Sequence, residues 1–215
     1  MVGRRVTAAW YHARSVLGRP RSARGFRELI NKDLVGNFGN FVNRTLTLTS
    51  RHFSSQVPGG RGAVTEVEVQ LKADCARVVL EYRNHLRHTE FRKAVQALRE
   101  LWSLGNGHLD ARAPWTLVHE DEEAAATVLR TAIHFIRLFA VAAHPVIPHS
   151  ADKVFDALHV IHHPESVDWN DLLELNGLVD GHPFKLPEIL FRRVEPADVE
   201  AYDRRFGGAP QARST

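Results

Sequence analysis

The chain has 215 residues, 44% of them apolar, which suits one packed core and is too much for a disordered chain. Its net charge of +3 is unevenly spread: residues 1–25 hold six arginines (Arg4, Arg5, Arg14, Arg19, Arg21, Arg24) and no acid, leaving 22 basic against 25 acidic groups elsewhere, so the body is not a general polyanion binder. One cysteine, Cys75, excludes a disulfide framework and a cysteine zinc knuckle, and no run of 18 apolar residues offers a membrane span, which together fit a cytosolic protein that makes no membrane contact.

Residues 1–25 show no clear period and break at Gly18 and Pro20, so a weakly ordered leader is expected. Its composition also resembles a mitochondrial transit peptide. Arginine outnumbers lysine 23 to 5 along the whole chain, however, and a GC-rich coding bias explains that equally well. From Phe26 the pattern changes. Phe26, Ile30, Leu34, Phe38, Phe41, Thr45 and Leu48 recur every three or four residues, the spacing of one helix face, which predicts helix one over Phe26–Phe53. "SSQVPGGRG" (54–62) then reads as a flexible break.

Helix two is expected over Glu66–Leu86, with Leu71, Cys75, Val78, Val79, Tyr82 and Leu86 inward. Thr89 offers a cap for helix three, Glu90–Leu104, with Phe91, Val95, Leu98 and Trp102 on its inner face. "GNGHLDARAPW" reads as a turn-rich loop that carries Trp115. Acids Glu120–Glu123 then open helix four, which continues through Val128, Leu129, Ile133, Ile136 and Ala140 and stops before Pro145. Ser150 is the expected N-cap of a fifth helix through Val154, Phe155 and Leu158. After His159 the helical rhythm stops. Asp180-Gly181 between short apolar runs suggests a small hairpin or an extended tail, and "GGAPQARST" reads as frayed. The expected organisation is a leader (1–25), an all-α antiparallel bundle of about five helices (26–158) and an extended or hairpin appendage (159–215).

Candidate chemistry is concentrated in "NFGNFVNRTLTLTSRHF" (37–53). Asparagine is a poor interior helix residue because its amide competes for backbone partners. Yet Asn37, Asn40, Asn43 and Arg44 sit among apolar residues here, with no Glu or Lys between 34 and 50. Asn40 and Arg44 are four apart and share a face that Asn37 extends. A solvated helix face explains the spacing. The residue types add a second reading, since Asn and Arg offer fixed multi-point hydrogen bonds suited to base edges. Trp115, after Pro114, could cover the bundle's end or present a flat surface to an unstacked base. His144, His149, His159, His162 and His163 are near one another but lack a recognised metal frame, so no metal site is assigned. There is no nucleophile elbow, Gly-rich phosphate loop or CxxC. Cys75, near His85 and His88, reads as core packing.

"LINKDLVGNFGNFVNRTL" (29–46), "LWSLGNGHLDARAPW" (101–115), "FAVAAHPVIPHSADKVFDAL" (139–158) and "LPEILFRRVE" (186–195) together resemble the C-terminal anticodon-binding domain of methionyl-tRNA synthetases, over about residues 26–195. The resemblance implies a helical bundle that grips the anticodon loop (CAU) of methionine tRNA. It implies that Asn40 and Arg44 contact anticodon bases and that Trp115 stacks on one, with Pro114 and Asp110 shaping the loop. The HIGH-like and KMSKS-like segments of the family's catalytic domain do not occur in this sequence, nor does its zinc-bearing insertion. ATP and zinc are therefore not expected as cofactors of this chain, and by itself it is expected to make no methionyl-adenylate. Three origins fit the departure upstream of Phe26: a free-standing tRNA-binding protein, a truncated gene read out of frame at its start, or a chain acting with a separate catalytic chain. Two rivals remain: a structural or interaction module that no longer binds tRNA, and the anticodon domain of another class I synthetase.

Overall fold

The computed structural model describes residues 23–206, apart from residues 61 and 63. Residues 1–22 of the arginine-rich leader and the tail after residue 206 lie outside the described residues. Among the described residues the fold is all-α. The first helical rod has three parts: α1 (Ala23–Leu29), a π-helical stretch (Ile30–Gly39) whose backbone bonds skip five residues, and α2 (Asn40–His52). Then come α3 (Glu66–Arg87), α4 (Phe91–Arg112), the short α5 (Pro114–Glu120), the long α6 (Glu122–Ala143) and α7 (Pro148–Ala157). Two further helices, α8 (Trp169–Glu174) and α9 (Pro196–Phe206), fall in the region expected to be extended.

Local chemistry fixes most starts. Thr65 and Glu68 form a reciprocal capping box at α3. The Asp121 carboxylate accepts the Ala124 N–H at 3.0 Å, and Glu122 and Glu123 meet the positive end of α6. Asp168 caps α8 through the N–H groups of Asn170 and Asp171. Two expected caps do not form. The Thr89 hydroxyl donates to the His88 carbonyl instead, and Ser150 lies inside α7, which opens on Pro148. Phe91, at the start of α4, is exposed rather than inward.

The axis of the bundle is α6. It touches α2, α3, α4, α5, α7 and α8, and Val128, Leu129, Ile133, Ile136 and Ala140 on it are fully buried. By length and composition α6 could cross a membrane, but 78% of its apolar window is buried by the rest of the bundle, as befits a core helix. Cys75 is fully buried and its thiol is pushed up to about 12 by burial, so it packs rather than reacts.

Helix α4 runs eight residues past the expected Leu104, through "GNGHLDAR". Gly105 is a crossing point rather than a turn residue. A Cβ there would lie 2.7 Å from Phe139 Cε2 and 2.9 Å from Phe41 Cε2, so only glycine lets α2, α4 and α6 approach this closely. The helix ends at Ala113, which takes the left-handed conformation (φ 42°) before Pro114 starts α5.

The expected flexible break is paired at residues 55–57, and of the two forms expected for the appendage residues 176–195 take the extended one. Val57 is buried; its N–H donates to the His182 carbonyl and its carbonyl accepts from Gly181. Phe184 N–H reaches Ser55 O, and Gln56 bridges Pro183. The Asp180-Gly181 turn (Gly181 φ 76°) thus pairs the appendage with the loop after α2, not with itself. Further on, Asn31 clamps the tail: its amide donates to Val194 O and accepts from Val194 N, both at 2.9 Å. Phe191 packs beside Phe38 and over Gly39.

Candidate nucleic-acid interface

The π-helical stretch and α2 lie beside α4, and a constant sequence offset between paired residues shows that this rod and α4 run the same way. Four polar pairs cross their seam, each with a sequence offset of 66: Asp33–Arg99, Asn37–Ser103, Asn40–Asn106 and Arg44–Asp110. Both sides step by four, three and four residues, the seam spacing of two helices lying side by side. The amides that look costly at Asn37, in the π-helical stretch, and at Asn40, in α2, are therefore partnered. Asn37 Nδ2 donates to Ser103 Oγ at 3.0 Å and to Arg99 O at 3.3 Å. Asn40 Nδ2 donates to Asn106 Oδ1 at 3.1 Å, and Asn106 Nδ2 in turn donates to Asn37 Oδ1 at 2.9 Å, Asn37 O and Trp102 O. Asn43 points away and is exposed.

At the end of the seam the structure brings Arg44, Asp110 and Trp115 together. The Arg44 guanidinium donates to Asp110 Oδ1 at 2.8 Å and lies over the Trp115 ring, 4.7 Å from its centroid. Trp115 is 42% exposed and the Arg44 side chain 31%, so neither is core. Trp115 sits on the first turn of α5 rather than in a loop, because Pro114 at the first helical position continues straight from Ala113. Pro114 itself is buried beneath it. Asp110 lies on α4, not in a loop. Asn40 is one helical turn from Arg44 on the same side, joined to the cluster through the seam.

A second buried group supports this corner. Arg112 Nε meets Glu68 Oε1 at 2.8 Å, tying the end of α4 to the start of α3. Burial opposes ionisation of Glu68, but its bonds from Thr65 and the charge of Arg112 outweigh it and hold the carboxyl below its usual value. His108 is buried beside them, and burial holds its pKa down.

Sequence reasoning missed Asn106 and Ser103. The signal was present: Trp102, Asn106 and Asp110 recur at four-residue intervals. Reading "GNG" as a turn hid it. The histidines near the end of α6 pack as rings, with His162 4.4 Å from Phe155 and 4.8 Å from His144, centroid to centroid.

The fold is one already seen in solved structures. The apo form of Mycobacterium tuberculosis methionyl-tRNA synthetase superposes with a TM-score of 0.70 at 23% identity, over 80% of this chain and 35% of that one. The family described as the anticodon binding domain of methionyl tRNA ligase matches residues 57–211, and the chain belongs to that family. Among curated relatives, methionine–tRNA ligase of Streptomyces avermitilis is 38% identical over 189 residues, covering 86% of this chain and 32% of the relative. Methionine–tRNA ligase of Caulobacter vibrioides is 38% identical over 185 residues, and methionine–tRNA ligase 1 of Acaryochloris marina 36% over 183. These cover 86% and 85% of this chain and 32% and 33% of those relatives. The chain thus spans about a third of the length of the curated relatives it matches.

Proposed function

We propose that the chain binds the anticodon loop of methionine tRNA, CAU, through Asn40, Arg44, Asp110, Pro114 and Trp115, and so supplies tRNA recognition for methionine–tRNA ligation. The observation that carries this reading is the half-exposed Trp115 ring with a guanidinium against it, 4.7 Å away. A flat aromatic beside a cation at the tip of a rigid bundle suits an unstacked base next to a phosphate. The Asn40 amide hydrogen that points into the seam is engaged by Asn106, which leaves its oxygen as the group to accept from a base amino group. Family membership, over residues 57–211, supports the reading for the part of the chain that holds Asp110, Pro114 and Trp115, and the seam that joins Arg44 to Asp110 extends it to Arg44 and Asn40.

The test is a binding titration of the full chain with a CAU stem-loop. Trp115→Ala is expected to weaken binding by about 1–3 kcal/mol, the stacking contribution of one base. Equal affinity of the two proteins would reject the assignment. Competition with isoleucine and valine stem-loops reports anticodon preference.

A further inference from the structure

Two turns back along the same seam from Arg44, about 10 Å at helical rise, the two helices part to form an open cleft of about 480 Å³. Its floor is the Asn37–Ser103 hydrogen bond, and its rim carries Lys32, Gln96 and Arg99. Gly36 keeps the near wall free of a side chain. The carboxylates that would repel a phosphate are engaged: Asp33 with Arg99 at 3.0 Å, and Glu100 with Arg77 at 2.8 Å. Lys32 is exposed, and its charge favours the ionised form of the neighbouring Asp33, although no salt bridge joins it to another described residue. The cleft therefore offers one exposed cation without a salt bridge, a fixed amide–hydroxyl floor and an exposed amide at Gln96. Its floor is continuous with the Asn40–Asn106 pair that leads to Trp115.

We propose that this cleft is a second nucleotide subsite on the same RNA strand, with a base laid against Gln96 and the Asn37–Ser103 floor and its phosphate on Lys32. The inference rests on the reading of the Trp115 site given above, and it extends that site from one stacked base to a track along the seam. Asn37 and Ser103 have spent their donors on Arg99 O and on each other, so the floor presents acceptor lone pairs only, suited to a base amino group, while the Gln96 amide can both donate and accept and the exposed lysine suits a phosphate.

The experiment uses the full chain and CAU stem-loops at several salt concentrations. Lys32→Gln is expected to weaken binding at least about threefold and to make the log–log salt dependence shallower by about 0.7, one phosphate contact on a single strand. Gln96→Glu, an isosteric change on an exposed position, is expected to weaken it at least as much. Lys72→Gln, on α3 and paired to Glu174, is the control and should leave both quantities unchanged. Stem-loops made abasic at each anticodon position in turn should cancel the effect of Gln96→Glu at one position and that of Trp115→Ala at another. If Lys32→Gln and Gln96→Glu bind like the unaltered chain while Trp115→Ala does not, the cleft is overturned and the anticodon reading stands. If Trp115→Ala is silent while the cleft variants weaken binding, the cleft stands and the Trp115 assignment is overturned. Equal weakening by Lys32→Gln and Lys72→Gln would indicate charge alone and would also overturn the cleft.

Discussion

Arg44 is held from two directions, by the Asp110 carboxylate and by the Trp115 face, so its guanidinium is fixed before any ligand arrives. A preset group loses less freedom on binding than a free arginine would. His134, on α6, shows the opposite use of a titratable side chain. It is buried, and burial together with the charges of Arg130 and Arg137 depresses its pKa from 6.5 to about 4. The unfolded chain therefore binds a proton near pH 6.5 that the folded chain refuses until about pH 4. The stability tied to His134 is complete above pH 6.5 and is lost as pH falls between those values, by an amount of about 3 kcal/mol. His108 is shifted the same way and adds to the slope. Urea unfolding at pH 7.5 and pH 4.5 should show this loss, and His134→Gln should flatten it. An unchanged slope in that variant would place the acid sensitivity elsewhere. None of this was legible in the sequence, where a histidine's burial is not written. Asn40 and Arg44 stood out by residue type, whereas Trp115 was grouped with them only through the family resemblance; the structure brings Arg44 and Trp115 into contact.

At the scale of elements, the helices with strong apolar periodicity fall where the pattern puts them. Helices α3 and α6 match at both ends to within a few residues, since capping groups and apolar faces agree there. One failure is in α4; others are the short helices α8 and α9, in the region expected to be extended. Two glycines and an asparagine in "GNGHLD" favour a turn locally, but Gly105 buys close approach to Phe41 and Phe139, and packing outweighs a propensity cost of about 1 kcal/mol per glycine. Gly105→Ala is accordingly expected to destabilise the fold by about 1–3 kcal/mol despite the better helix propensity of alanine. Thermal and urea unfolding measure it, and a more stable variant would contradict the crossing-point account. Because α4 persists to Arg112, Ser103, Asn106 and Asp110 stand in line opposite Asn37, Asn40 and Arg44. The loop reading of this stretch could not have produced that seam.

For the whole molecule, the appendage works as a strap. It pairs with the loop after α2 through Val57, covers Phe38 with Phe191, and is clamped at Val194 by Asn31 from the π-helical stretch. Asn31→Ala removes both clamp bonds. It is expected to speed amide exchange at Val194 strongly, with a loss of about 1–3 kcal/mol confined to that segment. Unchanged exchange there would mean that Phe191 packing alone holds the strap. What the sequence determined by itself was the all-α class, the position of the apolar faces and the residue types suited to bases, because periodicity and side-chain chemistry are local properties. Only the tertiary structure decided the rest: that α4 continues through its glycines, that the tail binds the bundle instead of itself, and that the polar residues of two helices meet in register. Those outcomes depend on distances between segments about 66 residues apart in the chain, and no local pattern encodes a distance of that kind.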